Sequence, residues 1–318
     1  MDNFALVYRT FGSPGDCLRL ESAPLSAPDA GLLRVAMSLA PINPSDLIPI
    51  TGAYSHRITL PLVAGYEGVG RVVAAPQEHS HLLGQRVLPL RGPGTWQNHV
   101  DCDPALAVPV PENIEDQVAA RGYINPLAAL KMLDIWPVKG KRVLLSGAGS
   151  TCADLLGHWA RLQGAEDVVG IYRSENRVER MNALGITPIS IADRSHVLSA
   201  ASEADLTFDA LGGPLASLML DAMRAGSVFI GYGLLAGQPV RPSRQPEADH
   251  KRFHLRHSIA AMSAEVWQGQ FTTIWKLLSE TGLPDVQVFP FENWQAALAE
   301  TLRPGAPKPM LNFGFRSR

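Results

Sequence analysis

The sequence predicts an α/β protein in which a β-rich domain, a barrel or a sandwich, is followed by a doubly wound parallel sheet. Three observations carry this reading. Residues 1 to about 112 fall into short apolar runs broken by Gly and Pro. Residues 120–256 alternate apolar runs with helical stretches of about ten residues, the mark of βαβ units. The last stretch supplies a helix, a strand, a helix and a strand, expected to return to the first domain. The expected domains are 1–119, 120–256 and 257–318.

Composition excludes several classes. The chain has 318 residues, long for one domain and comfortable for two, and 46% are apolar, enough for a sizeable core. A net charge of −2 offers no nucleic-acid surface and no polybasic membrane face. Cys17, Cys102 and Cys152 lie far apart, so neither a disulfide framework nor a cysteine-built zinc site is expected. No apolar run approaches the length of a membrane span, and "MDNFALVYRTFG" alternates like a strand rather than a signal peptide. A soluble cytoplasmic protein is expected.

The first strands are "FALVYRTF", "LRLESA", "LLRVAMSLA", "GYEGVGRVVAA" and "QRVLPL". "IEDQVAARGYINPLAALKML" then has helical spacing, interrupted at Gly122 and Pro126. From "RVLLS" onward come the helix "CADLLGHWARLQG", the strand "DVVGIY", the helix "ENRVERMNALG" and the strand "TPISI". "ADLTFDALGG", the helix "PLASLMLDAMRAG" and "SVFIGYG" complete five strands in β-α-β-α-β-α-β-α-β order. Residues 239–257 read as a polar linker with clustered basic residues. That run is either a solvated linker or the entry for a phosphate-bearing acyl carrier. The chain ends "FTTIWKLLSETG" (helix), "DVQVFPF" (strand), "ENWQAALAETL" (helix) and "PMLNFGF" (strand).

Two turns carry candidate chemistry. "VLLSGAGSTCADLLGHWARL" has a buried strand, Gly147, Gly149 and a following helix, which is what a nucleotide pyrophosphate requires. The third glycine of a strict G-x-G-x-x-G is replaced by Cys152, and a ligand-free strand-to-helix turn is the alternative. Thr151 to Asp154 matches a capping box, with Asp154 expected to face solvent. After the second parallel strand, Tyr172-Arg173-Ser174 has no acid at the tip. Arg173 and Arg177 offer forked donors to a 2′-phosphate, which favours NADPH over NADH, although Glu175 stands close enough to serve a ribose.

The second turn is "INPSDLIPITGAY", residues 42–54. By itself it reads as a proline-stiffened turn and helix cap with an aromatic at its tip. Together with "PLVAGYEGVGRVV", "GTWQNHV", "INPLAAL" and "GYG", in this order and spacing, it resembles the medium-chain dehydrogenase/reductase superfamily. The similarity is greatest to its zinc-independent 2-enoyl thioester reductases. That resemblance implies a GroES-like barrel, a Rossmann domain and a C-terminal return to the barrel. It implies Tyr54 as proton donor, Asn43 and Trp96 as shapers of the nicotinamide and substrate cleft, and Asn125 beside the cofactor. It adds Ser150, Thr151, Cys152, Tyr232 and Gly233 to the cofactor contacts named above.

Where zinc-dependent relatives carry "GHE", this chain has Gly65-Tyr66-Glu67, and His56, His79, His81 and His99 are scattered, so no metal is expected. Glu67 is read as pinning a barrel turn. The family's second glycine-rich turn is Ser150-Thr151-Cys152-Ala153 here, and its "NPxTA" threonine is Ala128. The expected activity is NADPH-dependent reduction of an enoyl thioester. The alternatives are quinone or activated-alkene reduction and a non-catalytic binding member of the fold. A homodimer joined at the edge strand "SVFIGYG" is expected by analogy.

Overall fold

A computed structural model describes residues 2–314. They form two compact units. One comprises the residues up to Ile124 and those from Met262 onward, and the other is Asn125–Ala261.

The first unit is β-rich. A three-stranded sheet orders Leu18–Pro24, Asp2–Tyr8 and Leu62–Val63. A seven-stranded sheet runs Val286–Pro290, Lys308–Asn312, Leu33–Pro41, Val69–Ala74, Arg86–Leu88, Val108–Pro109, with His99–Cys102 also paired to Leu33–Pro41. The return segment therefore joins the sheet directly, Met310 lying opposite Pro41 in antiparallel register. Leu33 to Met37 are all buried, and Tyr8, Val72, Trp96 and Leu311 close the core around them. Gly70 is the close approach within this sheet. A Cβ there would stand 2.4 Å from the Ala36 carbonyl oxygen.

The second unit is a six-stranded parallel sheet. Its spatial order is Thr187–Ser190, Asp167–Tyr172, Arg142–Leu145, Leu206–Asp209, Val228–Gly231, Asp249–Arg252. Every neighbouring pair is parallel. Such strands are covered on both faces, which is why Leu206–Asp209 is buried at every residue.

Three details depart from the sequence reading. "SVFIGYG" is not an edge, because Asp249–Arg252, inside the expected linker, pairs outside it. All four residues of that outer strand are exposed, so no apolar pattern marked it. A helix spans Arg194–Glu203, to which no periodic run had pointed, since it buries only Val197 and Ala201. The helix after the glycine turn, Thr151–Leu162, is capped one residue earlier than expected, as described below. The expected last strand, "PMLNFGF", runs past the described residues, and within them it is Lys308–Asn312.

Gly70→Ala should destabilise the first unit by about 1–3 kcal/mol, because a carbonyl held by a sheet ladder cannot retreat from the new methyl as a flexible side chain can. Urea unfolding followed by tryptophan fluorescence checks this. An unchanged midpoint would show that the strand pair has room to separate.

Candidate active site and cofactor turn

The "NPSD" turn is built as a clamp. Asn43 caps the short helix Pro44–Leu47, with Pro at its first turn where no N–H is needed. The Asn43 N–H donates to Asp46 Oδ2 at 2.7 Å, and the Tyr66 N–H donates to Asp46 Oδ1 at 2.9 Å. One carboxylate thus ties residue 43 to residue 66. Asn43 is itself only 2% exposed. Its Nδ2 donates to Glu67 Oε1 at 2.7 Å, and its Oδ1 accepts from Lys308 Nζ at 2.6 Å. Glu67 Oε2 accepts the Ile124 N–H at 2.7 Å and the Tyr123 N–H at 3.2 Å. Burial raises the pKa of both carboxyls, against the pull of these hydrogen bonds, and Asp46 is pushed up to about 7.

Trp96 fills the same interior, 1% exposed, with Nε1 donating to the Pro41 carbonyl at 3.2 Å. Gly65 lies against it at φ +90, and a Cβ there would stand 2.3 Å from Trp96 Cδ1. Asn43 and Trp96 are thus both buried, and the structure gives each an anchoring part in the segments 41–46 and 65–67.

Tyr54 stands apart from that network. It precedes the single turn Ser55–Arg57 and is half-buried. The turn closes through Ser55 N–H to Gly52 O at 3.0 Å and Arg57 N–H to Tyr54 O at 3.0 Å. The Arg57 guanidinium carbon lies 3.9 Å from the centre of the Tyr54 ring, a cation–π contact. Tyr66 keeps 42% of its surface, so its desolvation is partial. Its phenol is nonetheless raised to about 12, first by burial and then by the Asp46 carboxylate, with smaller effects from Tyr8, Arg57 and Tyr54. Sequence reasoning did not find Arg57, Tyr66 or Lys308 for this cluster. Only the Asn43-x-x-Asp46 spacing hinted at Asp46.

At the glycine turn, Ser150 is the N-cap, its Oγ accepting the Ala153 N–H at 3.3 Å, and Thr151 is the first helical residue. Asp154 does not face solvent. It is 3% exposed and accepts from Arg180 Nε at 2.6 Å. Burial raises its pKa, while Arg180 and then Arg177 act to lower it. Gly147 has φ +60. A Cβ at Gly149 would stand 2.9 Å from Arg177 Cγ. Cys152, 7% exposed, directs its thiol at the Asn125 carbonyl at 3.9 Å. The Tyr232 hydroxyl is buried beside Ser150 and Cys152 without a well-formed hydrogen bond, and burial raises its pKa well above the ordinary phenol range. Gly233 is required by close packing, since a Cβ would stand 2.5 Å from the Ala210 carbonyl oxygen. At the end of the second strand, Tyr172 Oη donates to Glu175 at 3.1 Å, and Arg173 is exposed. The structure thus gathers Asn125, Gly147, Gly149, Ser150, Thr151, Cys152, Arg177 and Tyr232 about one turn, with Tyr172 and Arg173 ending the neighbouring strand.

Among the described residues, no group of three or more His, Cys, Asp or Glu could hold a metal ion. Among the same residues, no helix is long and apolar enough to cross a membrane.

Comparison with known proteins adds the family. Residues 29–112 match the alcohol dehydrogenase GroES-like domain. The mitochondrial enoyl-[acyl-carrier-protein] reductase of Arabidopsis thaliana is 32% identical over 253 residues, covering 75% of this chain and 67% of that protein. Its counterpart in Rattus norvegicus is 26% identical over 330 residues, covering 94% of this chain and 86% of that protein. Among solved structures, a proposed NADPH:quinone reductase from Bacillus thuringiensis superposes with a TM-score of 0.89 at 31% identity, covering 98% of this chain and 99% of the other. The first two relatives are mitochondrial and lend the cytoplasmic expectation no support. With the GroES-like unit, the Rossmann-type parallel sheet and these similarities together, the chain belongs to the medium-chain dehydrogenase/reductase superfamily of oxidoreductases.

Proposed function

We propose that the protein reduces the carbon–carbon double bond of an enoyl thioester with NADPH. The observation that carries this is Tyr54. It is a half-buried phenol on a turn closed by its own backbone bonds, with a guanidinium over its ring. The similarity to enoyl-[acyl-carrier-protein] reductases supports it.

The residues at the glycine turn fit a dinucleotide. Gly147 takes a positive φ there, Gly149 carries no side chain where the turn meets Arg177, and the Tyr232 hydroxyl is buried without a good partner. A twelve-residue helix begins at this turn and directs its first N–H groups and dipole toward an anion. NADPH, when bound, supplies a hydride to the β-carbon. Negative charge then resides on the thioester oxygen, and the α-carbon requires a proton. Tyr54 Oη gives that proton to the α-carbon, and the phenolate left behind lies under the Arg57 guanidinium, which stabilises it. Asn43, Asp46 and Glu67 position rather than react. They fix the segment that leads into the Tyr54 turn and the one that carries Tyr66.

A second reading, reduction of quinones or activated alkenes, is favoured by the similarity to the Bacillus thuringiensis protein. Quinone reduction needs no proton placed on carbon, so Tyr54 separates it from thioester reduction.

Tyr54→Phe keeps the ring under Arg57 and removes the proton. Turnover of crotonyl-CoA is expected to fall by about 10²–10⁴-fold, the usual worth of a positioned general acid, with quinone reduction far less affected. An unchanged thioester rate in a folded variant would remove Tyr54 as the acid. Arg173→Ala should weaken NADPH by roughly 1.5–3 kcal/mol, the worth of a charge-assisted contact, and leave NADH nearly unchanged. Equal loss of both would exclude a 2′-phosphate role. The reaction is further expected to be zinc-independent, with Tyr66 in place of a ligand. Elemental analysis finding about one zinc per chain would overturn that.

A further inference from the structure

The segment Gly65-Tyr66-Glu67 presents one side chain that the barrel does not use. Gly65 takes φ +90, and a Cβ there would stand 2.3 Å from Trp96 Cδ1 and 2.7 Å from Thr95 Oγ1. Glu67 is 1% exposed, its carboxylate held by Asn43 and by the Tyr123 and Ile124 N–H groups. Between them the Tyr66 N–H is fixed on Asp46 Oδ1 at 2.9 Å. Buried groups thus pin the Tyr66 backbone and both its neighbours. The Tyr66 side chain joins none of them. It keeps 42% of its surface, and its hydroxyl makes no hydrogen bond to the described residues.

The surroundings of that phenol say what it can meet. It lies within electrostatic reach of the Tyr54 phenol and the Arg57 guanidinium, as well as of Asp46. Arg57 is already committed to Tyr54, its guanidinium carbon 3.9 Å from the ring centre. Reduction of an enoyl thioester places charge on the carbonyl oxygen, two bonds from the α-carbon that Tyr54 protonates. An oxygen that gathers charge in the transition state calls for a preorganised donor. Such a donor has to stand beside Tyr54, and Tyr66 brings an uncommitted hydroxyl there. The same setting keeps it a donor. Burial first, and then the Asp46 carboxylate, disfavour the phenolate, so the Tyr66 phenol, raised to about 12, holds its proton at neutral pH.

We propose that Tyr66 Oη donates the hydrogen bond that stabilises the thioester oxygen while it carries charge, and that Tyr54 alone gives up a proton. This rests on the enoyl thioester reading above. As hydride bonds to the β-carbon, the C=C electron pair moves to the bond between the α-carbon and the carbonyl carbon, and the carbonyl pair moves to oxygen. Tyr66 donates to that oxygen and keeps its own proton. As the Tyr54 proton bonds to the α-carbon, the oxygen pair returns to re-form the C=O bond, and the Tyr54 phenolate regains a proton from water. The two electrons gained by the alkene are those of the hydride.

The test compares Tyr66→Phe and Tyr66→Ala with wild type on crotonyl-CoA and on a benzoquinone, with NADPH affinity measured separately by fluorescence. Tyr66→Phe keeps the ring and loses only the hydroxyl. It is expected to lower kcat on crotonyl-CoA by about 10²–10³-fold, the range for one oxyanion donor, with NADPH affinity unchanged. The barrier raised is that of hydride transfer, so C4-deuterated NADPH should give a larger isotope effect than in wild type. The quinone rate should fall as well, because charge gathers on a carbonyl oxygen there too, whereas Tyr54→Phe is expected to spare it. Tyr66→Ala should lose at least as much as Tyr66→Phe. Wild-type kcat in Tyr66→Phe, or a loss in Tyr66→Ala that Tyr66→Phe restores, would overturn the proposal, leaving Tyr66 as packing and the thioester reading intact. Wild-type protein that reduces the quinone and not crotonyl-CoA would overturn that reading, and the proposal with it.

Discussion

The buried carboxylate of Glu67 is the constraint on which the barrel side of the site depends. A carboxyl 1% exposed is tolerable only when its oxygens are fully engaged, since the desolvation of an unpaired polar or charged group costs several kcal/mol. Its partners come from distant places in the chain: the Asn43 amide and the Tyr123 and Ile124 N–H groups, with Lys308 behind Asn43. Thr95 adds a bond from its hydroxyl to the Glu67 carbonyl at 2.8 Å. Satisfying one carboxylate therefore ties the "NPSD" turn and residues 123–124 to the "GYEG" turn, while the Glu67 carbonyl holds the "GTW" segment and Asn43 holds the return strand. Asn43 and Trp96 are buried within the barrel, and Tyr54 stands half-buried on the loop that follows Asn43.

The parallel-sheet unit solves a different electrostatic problem with the same economy of parts. Its glycine turn departs from the G-x-G-x-x-G pattern, and the helix that follows carries a buried acid, Asp154, in its first turn. The Asp154–Arg180 pair cancels that acid. The Arg177 stem packs on Gly149, and the Tyr232 hydroxyl is buried beside the same turn.

How much of this could be read from the sequence follows from what each feature depends on. The first five strands in chain order and most helices of the second unit were legible because burial writes continuous apolar runs such as "RVLL" and "LTFD". The strand Asp249–Arg252 was not, because an exposed edge imposes no apolar pattern on "DHKR". The helix Arg194–Glu203 buries two small contacts and leaves a nearly featureless period. At the site, the Asn43–Asp46 cap was visible as a local spacing. The Lys308–Asn43 bond joins residues 265 positions apart, and no local pattern encodes it. Asp154 was misjudged because a capping spacing is local, whereas its real partner, Arg180, is brought in by the next βα unit.

The central claim is that an enoyl thioester takes hydride at its β-carbon and a solvent-exchangeable proton, such as that of Tyr54, at its α-carbon. Isotope placement in the product tests it most directly. Crotonyl-CoA reduced in D₂O with unlabelled NADPH should carry one deuterium at the α-carbon and none at the β-carbon. With C4-deuterated NADPH in H₂O the label should appear only at the β-carbon. Nucleotide-derived deuterium at the α-carbon, or turnover of quinones with no reduced thioester at all, would contradict the account.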